Sequence, residues 1–301
     1  MHRRLLQRSG FLLGLCLVAA CLLAAARVPA KQVALTFDDL PAHGPLPEGV
    51  TRTQVIRDIL TALQASGTPP VYGYVNGLRV HENSGDAEVL NLCHKAGYPL
   101  GNHTWSHMNL NDHTVAEWEG DLLKNEPVIQ SRMQDGDWRW VRFPYLAEGN
   151  TPKKTSEVRK FLADHHYSIA GVTMSFDDYL FNESYARCSA KQDTASIQYL
   201  ESDYLQTARE DLMDRRAIVQ AALGHSIPLV LLMHVGAFDA HMLPHLLQLY
   251  RAEGVQFVSL QQAEQDRFYR NDRVCCRSIR SRIDDCGSRQ TFFILFELLT
   301  N

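Results

Sequence analysis

The chain has 301 residues, 45% of them hydrophobic and 21% charged, which excludes a disordered or fibrous protein and leaves room for one large domain or two ordinary ones. Lys and Arg total 30 against 34 Asp and Glu, a formal net charge of −4, and no long basic run occurs, so nucleic acid is not an expected partner. The 13 His are the first unusual count and direct attention to His spacing. At the N-terminus, Arg3, Arg4 and Arg8 precede an uncharged apolar run from Phe11 to Ala26, and Val28-Pro29-Ala30 ends it with small residues. Residues 1–30 therefore read as a secretory signal peptide, with two alternatives: a retained N-terminal membrane anchor, or a lipoprotein signal centred on Cys21. Removing residues 1–30 takes away four Arg and no acid, so the exported chain carries 26 basic and 34 acidic residues, a net −8. It keeps five Cys (Cys93, Cys188, Cys275, Cys276 and Cys286), whose odd number and irregular spacing do not make a disulfide framework. No later stretch is apolar enough to span a bilayer, so no integral membrane domain is expected after cleavage.

Strand and helix signals then alternate. Val33–Phe37 reads as a strand, and the apolar stripe Val55, Ile56, Ile59, Leu60 and Leu63 as a helix ending near Gly67. Val71–Val75 is the next strand, followed by a helix over about 86–96 closed by Gly97 and a strand around 99–103. Thr114-Val115-Ala116-Glu117 is a capping box opening a helix that reaches about Met133. Trp138–Phe143 reads as a strand, Thr151-Pro152 starts a helix to about Asp164, and Tyr167–Thr173 is another strand. An irregular stretch containing Cys188 precedes a long helix over about 196–223. The fully apolar Pro228–His234 has the character of a strand buried on both faces. A helix over about 240–252, ending at Gly254, and a strand over Val255–Leu260 complete the series.

Seven strand signals alternating with helices predict a single α/β domain over 31–273, closed or nearly closed into a barrel, with an open doubly wound sheet as the other arrangement. Residues 274–301, polar and basic and then abruptly apolar, continue no αβ unit and read as a tail: an added strand or helix, a disordered extension or a sequence artefact.

Polar clusters stand at the expected C-terminal ends of the strands, the face where α/β barrels build their sites. Asp38 and Asp39 are adjacent carboxylates that point apart, so one can ligate a metal while the other acts as a base; the same pair also suits a turn. His103 and His107, four apart, can face one side of a helical turn and share a metal, or can be ordinary hydrogen-bonded loop residues. Arg142 is suited to orienting a carboxylate, and His234 at the end of its strand is a candidate general acid. Together these residues suggest a two-His, one-carboxylate site for metal-assisted hydrolysis of a carbonyl compound.

Thr36-Phe37-Asp38-Asp39, His103-Thr104-Trp105-Ser106-His107, Arg142-Phe143-Pro144-Tyr145 and Leu232-Met233-His234 resemble, in this order, the motifs of the polysaccharide deacetylase (NodB-homology) family, carbohydrate esterase family 4. The resemblance covers about 32–270. It implies a distorted (β/α)7 barrel and hydrolysis of N-acetyl, sometimes O-acetyl, groups on a glycan with Zn²⁺ or another divalent cation such as Co²⁺ or Ni²⁺. It further implies Asp38 as catalytic base, Asp39, His103 and His107 as metal ligands, Arg142 orienting Asp38, and His234 as acid. Pro144, Tyr145 and Asp178 would line the substrate, with the Tyr145 backbone N–H offered to the oxyanion. One motif departs: where the family has Asp-x-x-Asp-Trp, this chain has Ser175-Phe176-Asp177-Asp178-Tyr179, so Asp177 or Asp178 is expected to take over control of His234. Val235 stands where many members have Asp. The substrate expected is an extracellular or cell-envelope glycan. The alternatives are an amidohydrolase acting on a small non-peptide C–N substrate, and a glycan-binding protein on a decayed deacetylase scaffold, which the Ser175 departure favours.

Overall fold

The computed structural model describes residues 31–274, apart from Ser84 and Asp135 and from the side chains of 271–274. The expectations for the signal peptide with Cys21, and for the tail from 275 onward with its three Cys, lie outside the described residues. Among the described residues, Cys93 and Cys188 form no disulfide.

Strand β1 (Lys31–Leu40) is the centre of the fold, and from Val33 onward every residue is buried. It is flanked by β2 (Tyr72–Val75) on one side and β6 (Leu229–His234) on the other, while β7 (Val255–Phe257) pairs with its first three residues. With β3 (Leu100–Asn102), β4 (Trp140–Val141) and β5 (Ser168–Ile169), the sheet order is β5-β4-β3-β2-β1-β6 and all pairings are parallel. Beyond β5 the chain reaches the far side of β6, where Met174 bridges Leu231. The sheet is thus a curled half-barrel with helices around it, a distorted α/β barrel as the strand–helix alternation predicts, and not an open doubly wound sheet.

The helices are α1 (Arg52–Ser66), α2 (Gly77–Glu82), α3 (Ala87–Lys95), α4 (Val115–Met133), α5 (Pro152–Asp164), α6 (Leu180–Ala190), α7 (Thr194–Leu223), α8 (Ala237–Ala252), α9 (Leu260–Ala263) and α10 (Arg267–Val274). Local chemistry sets their ends. Thr51 caps α1 by accepting from the Gln54 N–H, and Gly67 ends it in the left-handed region. Thr114 and Glu117 form the expected capping box of α4. Along α7, Tyr204, Ala208, Leu212 and Val219 make one buried face.

Three expectations change. The stretch around Cys188 is helix α6, because Phe181 and Tyr185, four apart, both pack against Phe238. The strands expected over 138–143 and 167–173 each keep only two residues. The Ala170 carbonyl, which would continue the second ladder, accepts instead from Arg142 Nε at 2.9 Å. The last strand stops at Phe257, because Ser259 and Gln262 form a capping box that opens α9. Among the described residues, no helix is long and apolar enough to cross a membrane.

Candidate active site

The site is built at the C-terminal ends of β1, β3, β4 and β6. Asp38 and His234 are register partners on adjacent strands, although 196 positions apart in sequence. The parallel ladder that carries the apolar core therefore also sets one carboxylate beside one imidazole.

Asp39 turns away from Asp38 with a φ of 66°. Its buried Oδ1 has no hydrogen-bond partner and lies 3.4 Å from His107 Nε2 and 3.6 Å from His103 Nε2. His103 is buried, and its Nδ1 donates to the Arg142 carbonyl at 2.7 Å, which leaves the Nε2 lone pair free to face Asp39. The three donor atoms all lie within 4.8 Å of one another. A buried carboxylate oxygen with no donor, facing two imidazole nitrogens, is a donor set that a divalent cation satisfies. Burial works to raise the Asp39 carboxyl, but the imidazoles of His103 and His107 and the Arg79 guanidinium outweigh it and lower it to about 2. Burial and the neighbouring His103 depress the His107 imidazole to about 3, which keeps it neutral as a ligand must be.

The His pair reaches this geometry by a different route from the one expected. Residues 103–107 are not a helical turn: Thr104 and His107 both take the left-handed conformation, with φ of 59° each. The loop is pinned by its own polar groups. Thr104 N–H donates to Asn102 Oδ1, Met108 N–H to Thr104 Oγ1, and the Ser106 N–H and hydroxyl to Asp121.

Arg142, almost fully buried, donates from Nη1 to both oxygens of Asp38, at 3.2 and 3.3 Å, from Nη2 to Thr36 Oγ1, and from Nε to the Ala170 carbonyl. The guanidinium fork thereby fixes the Asp38 carboxylate between β1 and β4. On the other side of Asp38, His234 Nδ1 meets Asp178 Oδ1 at 3.0 Å, and the His234 backbone N–H donates to Asp178 Oδ2 at 2.6 Å. Burial lowers the affinity of His234 for a proton, but the Asp178 carboxylate more than reverses this and raises the imidazole to about 9. Asp178 is therefore the carboxylate that serves His234. It is fully buried behind the imidazole, which corrects its expected place against substrate, and Asp177 is not the partner.

Tyr145 is 68% exposed and its ring centroid lies 4.5 Å from that of His107; Pro144, the residue before it, is buried. Across the site, Tyr179 packs edge-on against His234. Two residues here were not read from the sequence. His43 approaches Asp39 Oδ2 at 3.8 Å with its ring 5.0 Å from that of His234, and Arg79 approaches the same oxygen at 3.9 Å. His43 shares the strand-end loop of Asp39, a usable signal; Arg79 sits on α2, whose six residues are too few for a periodicity to read.

The fold and this constellation define a site at the strand ends of a distorted α/β barrel, with a donor set that suits a divalent cation. Residues 25–170, just under half of the chain, match the polysaccharide deacetylase family. The chain is 27% identical over 149 residues to a chitin deacetylase of Arthroderma benhamiae, an alignment that takes in 49% of this chain and 35% of the relative, so it spans about a third of that protein's length. Among solved structures, a mutant of a carbohydrate esterase family 4 pseudoenzyme from Bacillus anthracis, with restored enzymatic activity, superposes with a TM-score of 0.55 at 17% identity, over 78% of this chain and 68% of that one. A family 4 acetyl xylan esterase from Clostridium thermocellum, in complex with a cobalt ion, gives 0.53 at 17% identity over 78% and 91%. These structures share the fold. The family match ends before Asp178 and His234, which the tertiary structure brings to the other motifs.

Proposed function

We propose that this protein is a metal-dependent hydrolase that removes N-acetyl, and by the same chemistry O-acetyl, groups from a glycan. The observation that carries the reading is the unpartnered Oδ1 of Asp39 facing His103 and His107, with the Asp38–Arg142 pair on one side and the His234–Asp178 pair on the other. A divalent cation held by Asp39, His103 and His107 would act there as a Lewis acid toward the acetyl carbonyl, and two imidazoles with one carboxylate suit Zn²⁺, with Co²⁺ or Ni²⁺ as substitutes.

The chain's own groups supply the proton transfers. Asp38, held by Arg142, takes a proton from the attacking water as the C–O bond forms. The Tyr145 backbone N–H is offered to the developing oxyanion. His234, protonated and held by Asp178, gives its proton to the leaving nitrogen as the C–N bond breaks, releasing acetate and the free amine. The exposed ring of Tyr145 and the partly exposed ring of Tyr179 flank this centre, and such rings stack on sugar faces, which supports a glycan over a small amide. The intact donor set and the Asp178–His234 pair weigh against a decayed binding scaffold.

The test is acetate release from N-acetylglucosamine oligomers by the purified chain. Release that stops with chelator and returns with Zn²⁺ is expected; a zinc-loaded chain that releases no acetate contradicts the reading. We further propose export with cleavage near Lys31. N-terminal sequencing of the chain from outside the cytoplasm is expected to start there, and an intact Met1 or a lipid-modified Cys21 would overturn it.

A further inference from the structure

Behind Asp178 lies a second buried carboxyl that the reaction as described does not use. Asp239, on the first turn of α8, is completely buried. The Asn182 side-chain amide donates to its Oδ2 at 2.8 Å, and the Tyr204 hydroxyl donates to its Oδ1 at 3.1 Å. Asn182, which holds it, stands four residues after Asp178 at the start of α6, so the Asp239 and Asp178 carboxyls are electrostatic neighbours. Asn182 is held in turn by accepting from the Phe238 N–H at 2.9 Å. Gly236, two residues after His234, makes the cluster possible: a Cβ there would fall 2.1 Å from Asn182 Nδ2 and 2.3 Å from Asp239 Oδ2.

We propose that Asp239 is a positioning residue for the acid: it remains a neutral carboxyl and donates a hydrogen bond to Asp178, fixing the carboxylate that holds His234. This rests on the deacetylase reading for its consequence in turnover, but its geometry is independent of it. Two carboxylates side by side in a water-free interior cannot both stay charged, so one of them holds a proton. Asp178 has an imidazole to pair with, whereas Asp239 has only the neutral amide of Asn182 and the phenol of Tyr204. Burial first, and then the neighbouring Asp178 charge, push the Asp239 carboxyl well above the usual carboxylate range. The groups that face it are thus Asn182 from α6, Tyr204 from α7, Asp178 from the preceding loop and His234 from β6, and His234 is the cation among them. With Asp239 neutral, the Asp178–His234 pair is balanced, one negative and one positive charge, and Asp178 gains a donor on the side away from the imidazole.

The experiment compares Asp239→Leu and Asp239→Asn in the zinc-loaded full chain. Leu cannot donate, so kcat for an N-acetylglucosamine oligomer should fall about tenfold or more, the worth of a hydrogen bond to a charged group, with KM little changed. Asn carries a neutral donor of the same shape and should restore most of that loss. Hydrolysis of 4-nitrophenyl acetate, whose leaving group needs no proton, should be spared in both variants. An equal loss on both substrates, or no rescue by Asn, overturns the proposal. An NMR titration of the His234 imidazole provides a readout without turnover, so it still decides if the wild type releases no acetate and the deacetylase reading fails. Asp239→Asn should leave that titration where the wild type has it; a downward shift would mean that Asp239 carries a negative charge, and would overturn the proposal even if Asp239→Leu does not fold.

Discussion

Asp178 shows how much chemistry one side chain controls. It is fully buried, and its only charged partner across the short contacts of the site is the imidazole of His234, which it raises to about 9 against the opposing effect of burial. In the proposed reaction the acid is the protonated imidazole, so the rate should hold until pH rises through the value that Asp178 sets. Asp178→Asn removes that charge, lowers the imidazole toward its ordinary range, and should move the alkaline limb of the kcat profile to lower pH; a limb that stays in place would show that His234 is not the acid. The same residue marks where sequence reading stops. Asp38, Asp39, His103, His107, Arg142 and His234 were legible because each stands in a motif at a strand end. The choice between Asp177 and Asp178 was not, because Asp177 adopts a φ of 54° and the turn around it decides which carboxylate points inward. Asp239 and Arg79 lie on helices whose apolar or short patterns say nothing of the site.

At the level of the elements, strong local signals were read well and tertiary decisions were not. α1, α4, α5 and α7 appear where caps and apolar stripes place them, because those signals act within a few residues. The strands β4 and β5 are shorter than their apolar runs, since side chains from elsewhere take over the backbone groups that would extend them. Arg142 is one such side chain: the Nε that ends the β5 ladder at Ala170 belongs to the guanidinium that grips Asp38. The loops that carry the site were the least legible. Asp39, Thr104, His107, Tyr145, Leu146 and Asp177 all have positive φ, and none is Gly. A non-Gly residue costs energy in that region, and it persists only where the surrounding packing and hydrogen bonds over-determine it. Here the strained residues lie in the loops that carry Asp39, His103, His107, Tyr145 and Asp178, where such strain serves to aim side chains.

For the whole molecule, the alternation of strands and helices was enough to predict a barrel, and the structure is a curled half-barrel of parallel strands. Sequence order did not show that β1 would lie between β2 and β6, and this placement brings Asp38 level with His234. The Met174–Leu231 bridge then draws the Asp178 loop against β6. The proposed base, cation-holding residues and acid therefore meet through sheet topology, from segments nearly two hundred residues apart. In the proposed reaction Asp38 is a base distinct from the cation-holding residues beside it. The measurement that tests this most directly is zinc content together with acetate release from an N-acetylglucosamine oligomer in Asp38→Asn. The variant is expected still to bind zinc while turnover falls by about two to four orders of magnitude, the usual worth of a positioned base. Near-full deacetylation by that variant would contradict it.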